Sequence, residues 1–115
     1  MKYVCLIYAN EDKLAALPEE EADAVGAECV SYCESLKANG RCLGSEKLQS
    51  VASATTIRVR HGKVSMMDGP FAETKEQLGG FYLIDAKDLN EAIQIASRIP
   101  PARLGSVEVR PVLES

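Results

Sequence analysis

Several common site signatures are missing from this 115-residue chain. Histidine occurs once and tryptophan not at all, and the four cysteines show no Cys-x-x-Cys spacing. Without paired histidines or Cys-x-x-Cys spacing, a zinc site is disfavoured. No glycine-rich phosphate loop and no nucleophile elbow is present, which disfavours nucleotide and serine-hydrolase chemistry. Thirteen basic residues against 17 acidic give a net charge of −4, and no Lys/Arg cluster stands out. A nucleic-acid partner needs a basic footprint to displace counterions, and an anionic membrane surface asks the same. No apolar run approaches the roughly 20 residues of a spanning helix. The opening residues 1–8 resemble a short signal peptide, but Asn10-Glu11-Asp12 interrupts them, so the expected setting is cytoplasmic.

What is present suits a folded domain. Hydrophobic residues make up 46% and charged residues 26%, ordinary values for a globular protein. A single domain over residues 1–115 is expected, large enough to bury about two thirds of its unfolded surface.

Residues 3–8 form a continuous apolar run with the character of a strand covered on both faces. Residues 10–17 read as a connection whose local structure the sequence leaves open. Pro18 suits a first helical position, and Glu19, Glu20 and Glu21 complement the positive end of a helix. Ala22, Val25, Gly26, Cys29, Cys33 and Leu36 then recur on one stripe, and Asn39-Gly40 stops the helix. Cys29 and Cys33 fall one turn apart, a spacing open to a metal or redox pair, but small apolar fillers on a buried face are the plainer reading. Residues 41–49 read as a weak edge strand and 50–54 as a loop. Residues 56–60 and 63–67 alternate with period two around His61-Gly62, which predicts a β-hairpin with a solvated histidine at its tip. Residues 68–80 show no periodicity. Residues 81–84 are a second apolar strand. Asp88 and Glu91 form a capping box for a second helix, whose predicted buried stripe is Leu89, Ala92, Ile93, Ala96 and Ile99. Pro100-Pro101 ends it, and residues 107–110 are the last strand.

This order, β-α-β, hairpin, β-α-β, predicts an α+β ferredoxin-like sandwich with an antiparallel sheet. Two helices cover one sheet face only. The strands at 3–8 and 81–84 are apolar on both, so the second face calls for a cover: a homodimer packed sheet to sheet is the simplest one, and the hairpin folding back over it is the alternative. Glu108 and Arg110 share one face of the last strand and are expected to pair across such a dimer.

Asp68-Gly69-Pro70-Phe71, followed by Ala72-Glu73-Thr74-Lys75-Glu76-Gln77-Leu78-Gly79-Gly80-Phe81-Tyr82, resembles the signature of DGPF-type proteins in the YCII-related family. The opening residues 2–8 and the closing residues 99–111 are similar to the family's ends. The resemblance implies a dimeric α+β barrel and a superfamily that includes muconolactone isomerase-like enzymes and small monooxygenases. It also implies a link to extracytoplasmic-function sigma factors, and hence a sigma-factor-linked partner. The YciI branch resembles a hydrolase or lyase with a histidine at the start of its first helix. Here that helix opens Pro18-Glu19-Glu20-Glu21, so a His-Asp mechanism does not carry over, and only Asp68 has a match.

Asp68 is therefore the candidate catalytic residue, a proton-transfer carboxylate for a cofactor-free isomerase or lyase. Its expected cleft is lined by Met66, Phe71 and Tyr82. Gly69 and Pro70 would bring backbone close to a ligand. Lys75 or Arg103 would hold a small anionic or carbonyl compound, and Tyr8 or Tyr82 would donate to a carbonyl. The competing reading of Asp-Gly-Pro is turn chemistry, with Asp68 bonding its own backbone. The alternative function is a non-catalytic ligand-sensing or protein-interaction module.

Overall fold

The two apolar runs that open the two halves of the sequence become the two central strands of one sheet. A computed structural model describes residues 1–114. In it β1 (Lys2–Ala9) and β5 (Gln77–Asp85) run antiparallel side by side, with β2 (Cys42–Lys47) outside β5 and β6 (Ser106–Pro111) outside β1. The register pairs Tyr3 with Ile84 and Cys5 with Tyr82, and a bulge falls between Ile7 and Tyr8. Helices α2 (Glu19–Ala38) and α3 (Leu89–Ser97) belong to the two crossovers, giving the ferredoxin-like α+β fold expected from the sequence. The remaining strands, β3 (Thr55–Arg60) and β4 (Lys63–Asp68), form a separate two-stranded sheet. His61 (φ 51°) and Gly62 (φ 76°) turn that hairpin, both in the left-handed region that a type I′ turn requires.

Alternation sorts the sheet's side chains. Tyr3, Cys5, Tyr82 and Ile84 point to the helices and make the core with Leu36 of α2 and Ala92, Ile95, Ala96 and Ile99 of the α3 segment. Asp88 caps α3 through a 2.9 Å bond from the Glu91 N–H, and Glu91 reaches back to the N–H of Lys87. The buried stripe is rotated from the one expected. Ile95 lies inside, whereas Leu89 and Ile93 are half exposed, because positions 92, 95, 96 and 99 share the face that meets the sheet. Residues 10–17, whose local structure the sequence leaves open, include a short helix α1 (Glu11–Ala15), capped by Asn10 accepting from the Lys13 N–H at 3.0 Å.

The molecule measures 46 × 44 × 20 Å. The short dimension matches one sheet plus one layer of helices of about 10 Å each. Val4, Leu6, Phe81 and Leu83, paired across β1 and β5, occupy the sheet face away from the helices. Glu108 and Arg110, expected to pair between copies, are bonded to each other along β6, with Arg110 Nε 2.8 Å from Glu108 Oε2.

Burial in the core, reinforced by the neighbouring Cys42 thiol, pushes the Cys5 thiol from the ordinary 9.0 up to about 11. The unfolded chain ionises this group from about pH 9 and the folded chain only near pH 11. Between those values the unfolded state binds fewer protons, so stability falls as pH rises. The expected loss is roughly 2–3 kcal/mol, with a shallower fall for Cys5→Ala, measured by urea unfolding at each pH.

Candidate functional site

The stripe on α2 was expected to be buried. It consists of small residues, and instead of filling the space over the sheet it leaves a cavity. Only Leu36 near the end of the helix is buried; Val25, Cys29 and Cys33 are half-buried, and Ala22 and Gly26 are exposed. All five line an apolar cavity of about 970 Å³ between α2 and the sheet. Opposite them stand Ile7, Tyr82 and the Gly79-Gly80 pair, while Leu14 of α1, Leu17 just after it and Leu104 near β6 line its ends. Glycines on the strand and small side chains on the helix together remove the atoms that would otherwise pack across the gap.

Polar groups enter at a few points. Glu11 bonds Ser50 Oγ at 2.7 Å and the Val51 N–H at 3.1 Å, which ties α1 to the loop after β2. Gln77 Oε1 accepts from the Glu11 N–H at 2.9 Å. The Tyr82 hydroxyl is 3.4 Å from the Cys29 carbonyl, and burial, then the nearby Cys29 thiol, push its ionisation well above the usual tyrosine range. It is therefore a neutral donor at any physiological pH. Cys33 Sγ lies 3.1 Å from Ser45 Oγ and 3.9 Å from Cys42 Sγ. Desolvation raises the Cys42 thiol, and so does its contact with Cys33. Among the described residues no group of three or more His, Cys, Asp or Glu gathers as a metal-ligand set.

Of the residues proposed from the sequence as catalytic or ligand-binding, Tyr82 alone lines this cavity. Tyr8 sits on β1 opposite Leu78 and Ser106, on the far sheet face. Asp68 is exposed at the end of β4, opposite Thr55. Met66 and Phe71 are 72% and 77% exposed. The four residues expected in one cleft thus lie in two places, Tyr82 under the helices and the other three on and just after the hairpin. A Cβ built at Gly69 would meet nothing within 4 Å. Its φ of 101° is what requires glycine, and its backbone is held to β3 by Ala54 and Thr56 at 2.7 and 2.8 Å. Pro70 follows a trans bond. Lys75 is exposed, and Arg103 pairs with Glu28 at 2.8 Å.

Sequence reasoning missed the Cys33–Ser45–Cys42 cluster, which β2 brings to the helix across the sheet edge. The one available signal was the size of the stripe residues, since a core-facing helix with no Leu, Ile or Phe before Leu36 underfills its side of a sandwich.

A small ferredoxin-like chain with an apolar cavity between its long helix and its sheet is the class that fold and site define. The chain belongs to the YCII-related domain family, whose model matches residues 1–115. It is 39% identical over 114 residues to an uncharacterized protein of Rhizobium meliloti (strain 1021), covering 97% of this chain and 92% of that protein. Its fold is similar to that of a 5-chloro-2-hydroxyhydroquinone dehydrochlorinase from Burkholderia phenoliruptrix solved in complex with 2,5-dihydroxybenzoquinone. The TM-score is 0.57 at 16% identity, over 100% of this chain and 96% of that one. No helix among the described residues is long and apolar enough to cross a membrane.

Proposed function

We propose that the chain binds a small, largely apolar organic molecule in the cavity between α2 and the sheet, and that it does so as a homodimer. The observation that carries the reading is the cavity itself: about 970 Å³, apolar, with few polar groups. Such dimensions and lining are those of small-molecule sites. The likeness in fold to a dehydrochlorinase complexed with a dihydroxybenzoquinone supports it, because an anionic, carbonyl-bearing ring compound is the kind of ligand that the Tyr82 hydroxyl and the rim lysine Lys47 suit.

The dimer reading rests on two apolar surfaces. One is the sheet face of Val4, Leu6, Phe81 and Leu83. The other is the hairpin face on which Ile57, Val59, Val64 and Met66 fall together by register, each more than half exposed. Apolar patches of this kind mark interfaces. Asp68 ends the same hairpin, and its proposed role in proton transfer, as a cofactor-free isomerase or lyase, requires a second copy to cover it together with Met66 and Phe71. A sigma-factor-linked protein docking on the hairpin face is the alternative. The four unpaired cysteines agree with a reducing, cytoplasmic setting.

Gly26→Leu tests the cavity. A Cβ at Gly26 meets nothing within 4 Å, and replacing glycine inside a helix favours folding by roughly 0.5–1 kcal/mol. The variant is expected to melt no earlier than the wild type. In a thermal-shift screen of small aromatic, carbonyl and carboxylate compounds, including 2,5-dihydroxybenzoquinone, it should lose every shift that the wild type shows. Equal shifts in both proteins would place binding elsewhere.

A further inference from the structure

We propose that Cys33 and Cys42 form an oxidation site: Cys33 reacts with a hydroperoxide at the cavity wall, and Cys42 resolves the product as a disulfide. The pair is not the one suggested by helical spacing. Cys29 and Cys33 share a stripe of α2, but the contact is between Cys33 and Cys42, at 3.9 Å between sulfurs. A disulfide brings sulfurs to about 2.05 Å. Closing that difference asks for side-chain rotation at two positions on elements joined by one tight connection, since α2 ends at Ala38 and β2 begins at Cys42.

The surroundings divide the roles. Cys33 lines the cavity and is half-buried, so a small oxidant can reach it. Ser45 Oγ at 3.1 Å can donate a hydrogen bond to its thiolate. Cys42 is buried behind it, with its sulfur also 3.5 Å from the Gly44 carbonyl. Cys5, in the same core, is completely covered.

The chemistry balances with hydrogen peroxide as oxidant. The Cys33 thiolate attacks one peroxide oxygen, the O–O bond breaks, and the leaving hydroxide takes a proton, giving sulfenic acid and one water. The Cys42 sulfur then attacks Cys33 Sγ. The hydroxyl leaves with the Cys42 proton as a second water, and the S–S bond forms. Two thiols lose two electrons, which the peroxide gains. The bridge would fasten α2 to β2 and so fix one wall of the cavity, but its formation does not depend on a ligand ever binding there.

The test uses the full chain and hydrogen peroxide as the probe. After brief treatment, maleimide labelling under denaturing conditions should count two free thiols instead of four, and peptide mapping should join Cys33 to Cys42. Cys29→Ser should cross-link as the wild type does. Cys42→Ser should stop at a sulfenic acid on Cys33 that dimedone traps. Four free thiols after treatment, or a bridge between Cys29 and Cys33, would overturn the proposal. The mapping on wild-type protein decides this even where a cysteine variant folds poorly.

Discussion

Replacing Ile84 by alanine is expected to cost about 2–5 kcal/mol of stability, the range for removing a large aliphatic side chain from a packed core. Ile84 is 0% exposed, and β5 carries it between Tyr3 of β1 and Cys42 of β2. Its side chain joins the cluster formed with Ala92, Ile95, Ala96 and Ile99. The alanines there are already small, so little can move in to fill the gap, which places the loss toward the upper part of the range. Against a total of about 5–15 kcal/mol for a domain, a third or more of the stability would go. Ile93→Ala is the matched comparison. Ile93 is 49% exposed on the outer side of α3, and its replacement should change stability by no more than about 0.5 kcal/mol. Urea unfolding of the two variants reads the contrast directly, and equal losses would mean that α3 packs by a different face.

Phe81→Asp is expected to turn a dimer into a monomer. Phe81 lies opposite Leu6 on β1 and Glu46 on β2, on the sheet face that the helices leave uncovered. In a dimer packed through that face the new carboxylate would be buried without a partner, a penalty of several kcal/mol. At 1.4 kcal/mol per decade this weakens association by about 10²–10³-fold or more. Sedimentation velocity at micromolar concentration should show the wild type at twice the chain mass and the variant at once the chain mass. The monomer itself should stay folded, because the substitution faces away from the core formed by Tyr82 and Ile84. A wild type that sediments as a monomer would remove the homodimer from the account and leave the hairpin face to a different protein partner.

Much of the fold is written in local patterns. The apolar runs at residues 3–8 and 81–84 locate β1 and β5, the alternation around His61-Gly62 locates the hairpin, and Asp88 with Glu91 marks where α3 begins. These signals depend on near neighbours, which a sequence displays. The boundaries of β5 were less legible. Gly79 and Gly80 fall in the stretch without periodicity, yet both lie within the strand, because a strand paired on both sides gains its hydrogen bonds whatever its side chains. Gly80 sits so close to β2 that a Cβ there would come within 2.8 Å of the Glu46 carbonyl oxygen.

The candidate site was less legible than the fold. The Asp-Gly-Pro-Phe motif draws attention because its residue types carry chemistry, but the conformation of Gly69 and its bonds to β3 explain the motif's backbone in structural terms. The cavity arises from an absence, small residues on α2 facing glycines on β5, and such a gap shows only when the two elements are brought together. The Cys33–Cys42 contact likewise depends on how the helix docks on the sheet edge.

Binding in the cavity is tested by a methyl-resolved NMR titration with a compound that shifts the wild-type melting point. The cavity reading predicts that the methyls of Ile7, Val25, Leu14 and Leu104 move together and saturate with one affinity, and that none of them responds in Gly26→Leu. Movement confined to Ile57, Val59, Val64 and Met66 on the hairpin, with the cavity methyls unchanged, would contradict it.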